Sequence, residues 1–408
     1  MSKSISIIGC GIAGPVLAML LKHKGFLPTI YERQPGVQQA GISLGLSPQT
    51  FKVLHILGLA DACISLGSPL EEIVSYSQVR QEVIGKLDAP GRLREWLGWP
   101  LLMISRSAYS QFLYTTARER GIEVHFRKRL VDVLQEEEGV RAVFDDGTEA
   151  VSDLLVGCDG LHSTVRSVLF GAEEPAYLGL VQIGGFSPIP DIFRDWKGGK
   201  TYQVFGDGAH FLCTRVTDTQ LAWATTVPEA EEAKEDWRRV SMTDPSGQAL
   251  VQGLACADWE NGPREVVASA TFVTKYGLYD RPVGDTWHKG RVVLLGDAAH
   301  PTSPHMGQGA NQAMEDIYHL VRLLVLAQPL TSASLSAAFT SYESLRAPIV
   351  ARSVAQAKKE GQNRVLVGRE QCEKRDENMM LRGKGQDPET VRLRMELFQG
   401  PFMGESEV

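Results

Sequence analysis

Hydrophobic positions along the chain alternate between strand-length and helix-length patterns. Ile5-Ser-Ile-Ile8 is a short apolar run, and Val16, Leu17, Leu20 and Leu21 follow it at helical spacing. Pro28-Thr-Ile-Tyr31 predicts a second strand that stops at Glu32. An amphipathic helix is expected over Gln49–Leu57, and another begins at Arg106. Ile122–Phe126, Val131–Leu134 and Val140–Phe144 alternate as strands, and Asp145-Asp-Gly147-Thr reads as a hairpin turn, which together predict a small β meander. Asp153–Gly157 is again strand-like and leads through a glycine turn to a new helix.

The pattern becomes β-rich from about Tyr177 to Asp285. Strands are expected over 177–186, 201–205, 210–216, 221–227 and 269–276, separated by turn signals such as Gly206-Asp-Gly208. Arg291-Val-Val-Leu-Leu-Gly296 is a buried-strand pattern halted at Gly296-Asp297, and Met314, Ile317, Leu320 and Val321 mark the helix that follows. Leu335–Ala357 predicts a long helix with a kink at Pro348. Arg369–Arg382 reads as an exposed helical or flexible piece, and Asp387–Phe398 as a capped amphipathic helix.

Composition narrows the class. With 43% hydrophobic and 22% charged residues, the 408-residue chain is that of an ordinary globular protein of two to three domains. No run of 18 apolar residues is present, so no membrane span is expected. The first strand begins within four residues of Met1, which leaves no room for a signal segment and predicts a cytoplasmic protein. Six widely spaced cysteines without a C-x-x-C pair argue against a zinc site or a disulfide framework. A net charge of −7 disfavours nucleic acid as a partner.

Candidate chemistry lies at the two strand–glycine–helix units. Gly9-Cys-Gly11-Ile-Ala-Gly14 follows the first strand, and Glu32 ends the second at the spacing of a ribose-binding acid. In such a unit Gly9 makes the turn, Gly11 lets the backbone approach a pyrophosphate, and Gly14 lets helix pack on strand. Glu32 favours a free 2′-hydroxyl, as in the AMP half of FAD or NAD. Arg33 either stacks on the adenine or is solvated. In the second unit Asp297 stands at a strand's carboxyl end, where it suits the hydroxyls of a sugar or sugar alcohol. Gly307 and Gly309 open a helix whose bare amides can hold an anion. An ordinary strand–turn–helix whose glycines serve only tight turns is the bland alternative.

Gly296-Asp-Ala-Ala-His300-Pro-Thr-Ser-Pro-His305-Met-Gly-Gln-Gly309 resembles the second flavin motif of the FAD-dependent aromatic hydroxylases, the class A flavoprotein monooxygenases. The resemblance implies an α/β fold: a Rossmann-like FAD-binding domain with an inserted β-sheet substrate domain and a helical C-terminal segment. On this chain the parts are 1–175, 176–284, 285–345 and 346–408. It also implies that Asp297 binds the ribityl chain and that Gly307, Gly309 and Ala310 lie along the isoalloxazine. Gly45 is then a backbone contact, Arg106 stands beside the FAD phosphates, and Asp159, in Cys158-Asp-Gly160, belongs to a motif that stabilises the FAD site. The alternatives are a solvated Arg106 and an Asp159 that is a plain helix-entry turn residue. Tyr342-Glu-Ser-Leu-Arg346-Ala-Pro348 is similar to the family as well.

The implied reaction is reduction of FAD by NADPH or NADH as a transient co-substrate, reaction with O₂ to a C4a-hydroperoxide, and hydroxylation or epoxidation of an aromatic or alkene small molecule. A flavin oxidase or reductase of the same fold is the alternative, and a non-catalytic nucleotide-binding regulator a third. Many relatives that hydroxylate aromatic acids carry Trp-Arg-Gly where this chain has Gln182-Ile-Gly-Gly185, which puts a carboxylated substrate in doubt. No catalytic side chain stands out. Candidate pocket residues are Gln182, His210, Trp223 and His305, among a wider set of Phe186, Tyr202, Phe205, Phe211, Arg215 and Tyr276. Strand alternation lets only about half of the strand residues face one side. Oligomeric state is not readable.

Overall fold

A computed structural model describes residues 3–196, 198–233, 239–384 and 398–408. The chain's first strand, Ser4–Ile8, lies inside a six-stranded sheet in the order His288–Lys289, Val292–Leu294, Leu154–Gly157, Ser4–Ile8, Leu27–Glu32, Glu123–Phe126. All neighbours are parallel except the terminal His288–Lys289 pair. Ile5, Ile7, Ile30, Leu155, Val156 and Val293 are buried because helices cover both faces of a parallel sheet. The helices Ala13–His23 and Gly309–Leu326 pack together, and Ser332–Arg364 packs on the latter.

Glu123–Phe126 corrects the expected meander. It follows the helix Arg106–Glu119 and so arrives as a parallel crossover strand beside Leu27–Glu32, with His125 opposite Tyr31. The antiparallel meander contains only Leu130–Gln135, Val140–Phe144 and Glu149–Ser152.

The second large sheet has ten strands. Its path runs Val240–Ser241, Phe272–Asp280, Ala176–Pro188, Gln220–Pro228, His210–Thr217, Gly199–Phe205, Ser68–Ser77, Leu102–Ser105, Ser43–Leu46, with Glu82–Leu87 paired to Ser68–Ser77. Thus strands from 43–105 join those from 176–280, and the glycine-punctuated segment Gly41–Pro48 contains one of them. One face packs under the helices Pro245–Gln252 and Pro263–Ala268. The other face meets Ile42, Met103 and Val365.

The long helix Ser332–Arg364 runs through Pro348 and starts at a Thr331 capping box. The next helix, Arg369–Lys384, is not an exposed appendage: Cys372, Arg375 and Asp376 are buried. Arg375 Nη1 donates to Gly206 O at 3.1 Å, and Ser77 Oγ donates to Asp376. The helix expected over 387–398 falls outside the described residues, save for its last position. Among the described residues no helix is long and apolar enough to cross a membrane.

Candidate active site

Three turns leave the same edge of the parallel sheet. Ile8 lies opposite Gly157, and Gly157 opposite Leu294, so the turns starting at Gly9, Cys158 and Leu295 are neighbours. At roughly 4.8 Å between strands, the first and third are about 10 Å apart. This is the edge at which open α/β sheets bind ligands.

The first turn is fixed by its glycines. Gly9 has φ +109°, and a Cβ there would sit 2.4 Å from Cys158 O. A Cβ on Gly14 would sit 2.0 Å from Gly9 O, so the helix lies directly on the turn. Gly11 is exposed, with nothing within 4 Å of such a Cβ. Glu32 reaches back to this loop: Cys10 N donates to Oε2 at 2.8 Å and Gln34 N to Oε1 at 2.8 Å. The helix Ala13–His23 begins without a side-chain cap, which leaves its first amides for a ligand. Arg33 is exposed at this rim, and its charge joins burial in lowering the pKa of His162.

Asp297 occupies a 3₁₀ turn, Gly296–Ala298, beyond Val292–Leu294. It is exposed to solvent on one side and crowded by protein on the others. That desolvation raises its carboxyl pKa, while His300 and Arg106 pull it down. Its Oδ1 lies 3.6 Å from where a Gly309 Cβ would be. Gly307, at φ +61°, has open space around it, and the helix Gly309–Leu326 starts without a side-chain cap.

Asn311, one turn into that helix and fully buried, ties the segments together. Its Nδ2 donates to Gly45 O and Gly307 O, both at 2.8 Å, and its Oδ1 accepts from Ser47 N at 3.0 Å and Thr50 Oγ1 at 2.6 Å. All four of its hydrogen-bonding positions are filled. Gly45, Gly307, Gly309 and the half-buried Ala310 are thereby gathered near Asp297. Arg106 lies across Gly41 and donates to Ala40 O at 3.4 Å.

Asp159 faces inward. It accepts from Ser163 Oγ at 2.6 Å and from Val165 N at 3.1 Å, holding the start of the helix Thr164–Phe170, and burial raises its pKa. It shapes the middle turn of the three.

A buried ion cluster that the sequence reading did not assemble supports the Asp297 turn. Asp316 Oδ2 accepts from Gly296 N at 3.1 Å and pairs with His300 Nε2 at 2.6 Å. Its Oδ1 accepts from Arg346 Nε at 2.7 Å, and Arg346 also binds Glu315 and the Gln312 carbonyl. Burial alone would raise the Asp316 pKa, yet His300 and Arg346 hold it well below the usual carboxylate range. The available signal was the acidic pair Glu315-Asp316 between apolar positions of the helix that follows Gly309.

The pocket candidates divide by sheet face. Phe205, His210, Thr226, Gln182 and Tyr276 lie in register across five strands, so their side chains share one face. This face also carries Phe186 and is the one that meets Ile42, Met103 and Val365. Tyr276 donates to Gln182 Oε1, and Gln182 Nε2 donates to Thr226 at 3.4 Å. Trp223, Phe211, Tyr202 and Arg215 point the other way, since each is one residue out of phase. Trp223 is fully buried beneath the helical layer, stacked on Phe211, so the structure separates it from Gln182 and His210. His305 is buried against Gly361 and Ser303 rather than turned to solvent.

Open glycine backbone at Gly11 and Gly307, two uncapped helix starts and an accessible carboxylate at Asp297 share one sheet edge. They fit a single bound dinucleotide. A family model described as an FAD binding domain matches residues 2–357. The chain belongs to the FAD-dependent aromatic hydroxylase family. It is 33% identical over 377 residues to 3-amino-4-hydroxybenzoate 2-monooxygenase of Streptomyces cremeus, covering 92% of this chain and 91% of that one. It is 29% identical over 350 residues to 6-hydroxynicotinate 3-monooxygenase of Bordetella bronchiseptica, with 85% and 88% covered. Klebsiella pneumoniae HpxO, solved in complex with FAD and uric acid, shares the fold at a TM-score of 0.81 and 23% identity, over 98% of this chain and 97% of that one. This hydroxylase family member is therefore an enzyme, an FAD-dependent monooxygenase with NAD(P)H as co-substrate.

Proposed function

We propose that the enzyme hydroxylates a small electron-rich aromatic compound held between the Gly307 loop and the Phe205–Tyr276 face of the ten-stranded sheet. The observation that carries this reading is the row Phe205, His210, Thr226, Gln182 and Tyr276, which turns polar groups toward the side where Ile42 and Met103 pack. FAD, when bound, supplies the redox and oxygen-activating chemistry. The protein's share is orientation, exclusion of water and placement of charge. Asp297 binds the sugar alcohol, and the uncapped amides at Gly309 favour negative charge beside them. The hydrogen bonds from Tyr276 to Gln182 and onward to Thr226 fix the polar wall.

In this reading 1–175 and 285–345 form the FAD-binding domain, 176–284 carries most of the substrate sheet, and 346–408 closes the fold in the cytoplasm. With only one G-x-G-x-x-G turn, at Gly9–Gly14, the nicotinamide donor docks transiently over the flavin cleft. The test uses the yellow holoprotein with NADH or NADPH and a panel of hydroxylated benzoates and nicotinates, the compound types named for the relatives. Stimulated NAD(P)H oxidation with one labelled oxygen from O₂ in the product is expected. Oxidation without oxygen gain across the panel would replace this reading with an oxidase or reductase, and protein that binds no FAD would replace it with a regulator.

A further inference from the structure

The inner side of the sheet holds two buried imidazoles, each with one nitrogen that has no partner among the described residues, beside an arginine that has no ion-pair partner among them. His210 is 0% exposed; its Nε2 lies 3.3 Å from Gln203 Oε1, and its Nδ1 has no hydrogen-bond partner among the described residues. His305 is 5% exposed; its Nδ1 meets Ser303 Oγ at 3.1 Å, and its Nε2 likewise lacks a partner. Buried polar atoms of this kind are normally satisfied, so each calls for a group the protein does not itself provide.

Arg364, the last residue of the Ser332–Arg364 helix, donates Nη2 to His305 O at 3.0 Å. Among the described residues no carboxylate reaches it within 4.0 Å. Its charge is felt at both His210 and His305, and His305 is felt at His210, so the three groups converge. Arg364 is half-buried, yet desolvation pulls its pKa down to about 10, with Glu360 opposing. The neighbouring cation, Arg375, is already engaged with Asp376 at 2.9 Å and with Gly206 O. Beside the polar row of this face lies an apolar patch in which Phe186, Leu212 and the Tyr276 ring pack with Val365, the residue after Arg364.

An apolar floor with one unpaired guanidinium and two neutral imidazoles at its end is complementary to a flat ring bearing an anion. We propose that Arg364 is the specificity residue of this site, receiving the carboxylate of a small aromatic acid together with the Nε2–H of His305, whose Nδ1 is met by the Ser303 hydroxyl, while Nδ1 of His210, whose Nε2–H faces Gln203 Oε1, is an acceptor for a ring hydroxyl. This rests on the reading of the same sheet face as the substrate site. It also answers the departure at Gln182–Gly185: the cation comes from the end of a C-terminal helix instead of from the first strand of the sheet. Guanidinium geometry suits a carboxylate, for which a lysine is only a point charge.

The test titrates FAD-loaded enzyme with benzoate and with benzamide, its neutral isostere, by calorimetry and by the change in the flavin spectrum. Wild type is expected to prefer benzoate. Arg364→Met should weaken benzoate about 10- to 150-fold, the range for a hydrogen-bonded charge, and leave benzamide unchanged. Arg364→Lys should fall between, and its FAD content and melting temperature report whether the fold survives. Equal benzoate affinity in wild type and Arg364→Met, equal loss of both probes, or a wild type that binds neither overturns the assignment. Benzoate binding through Arg364 in an enzyme that adds oxygen to no member of the aromatic panel would instead sustain the anion site and remove the proposed reaction.

Discussion

Replacing Arg346 with methionine removes the cation at the centre of the buried cluster while keeping much of its volume. Arg346 and Asp316 are each 0% exposed and Glu315 is 4% exposed, so no water replaces the lost guanidinium. Breaking one partner out of such a pair costs about 3–5 kcal/mol, because the remaining charge is stranded. Here two carboxylates are stranded at once. Burial already raises the Glu315 pKa against the pull of Arg346, and without that pull the carboxyl takes up a proton in the folded state. Asp316, held low by His300 and Arg346, loses the second of these two partners. The sign follows: the wild-type contribution of Asp316 is present above the unfolded carboxylate pKa of about 3.9 and is lost as pH falls through the lower folded value.

In Arg346→Met the deficit is therefore largest near pH 8 and shrinks as the medium is acidified and the carboxyls are neutralised. Each proton taken up changes stability by about 1.4 kcal/mol per pH unit. The assay is urea unfolding of the holoprotein at pH 8 and pH 5.5, with Glu315→Gln added to Arg346→Met as the second arm. The added change should recover part of the loss at pH 8 and little at pH 5.5. A deficit below about 1 kcal/mol at pH 8, or one that is the same at both pH values, would refute the reasoning.

Gly14→Ala places a Cβ 2.0 Å from Gly9 O, a backbone atom that cannot step aside, so the variant is expected to be insoluble or colourless; flavin absorbance per protein checks this. Asp297→Ala should weaken FAD about 10- to 150-fold through loss of a charged hydrogen bond, read from FAD fluorescence on dilution, whereas Arg33→Ala, at an exposed position, should change it far less. Burial and Arg364 push His305 down to about 3, so the folded protein keeps it neutral while the unfolded chain protonates it below about 6.5. Its contribution is complete above that pH and is lost as pH falls toward the folded value, by up to about 1.4 kcal/mol per pH unit. His305→Gln should accordingly flatten the acid limb of the stability curve by one proton.

The turn after the first strand was legible because backbone geometry dictates glycine there: Gly9 at φ +109° and Gly14 against a carbonyl leave no alternative residue type. Strand positions in the second sheet could also be read from alternation. Which face of them looked inward could not, because phase is a property of pairing: Trp223 and His210 are both buried and differ only in register. The strands Ser43–Leu46 and Leu102–Ser105 span four residues each, too short for alternation to show. Asp316 and Arg346 are 30 residues apart on two helices, and Arg364 reads locally as one more charge at a helix end. Each of these depends on tertiary contacts that no local window contains.

The central sheet is assembled out of order. Its middle strands, Ser4–Ile8 and Leu154–Gly157, are flanked by Val292–Leu294, and the turn after that last strand is held through Asp316 by Arg346. A ribosome that has delivered the chain only as far as Leu154–Gly157 has made the Gly9–Gly14 turn with an unpaired sheet edge beside it. The support for the turn after Val292–Leu294 is complete only once residue 346 of 408 has been made, and until then that bare edge is open to wrong pairing of the kind chaperones suppress.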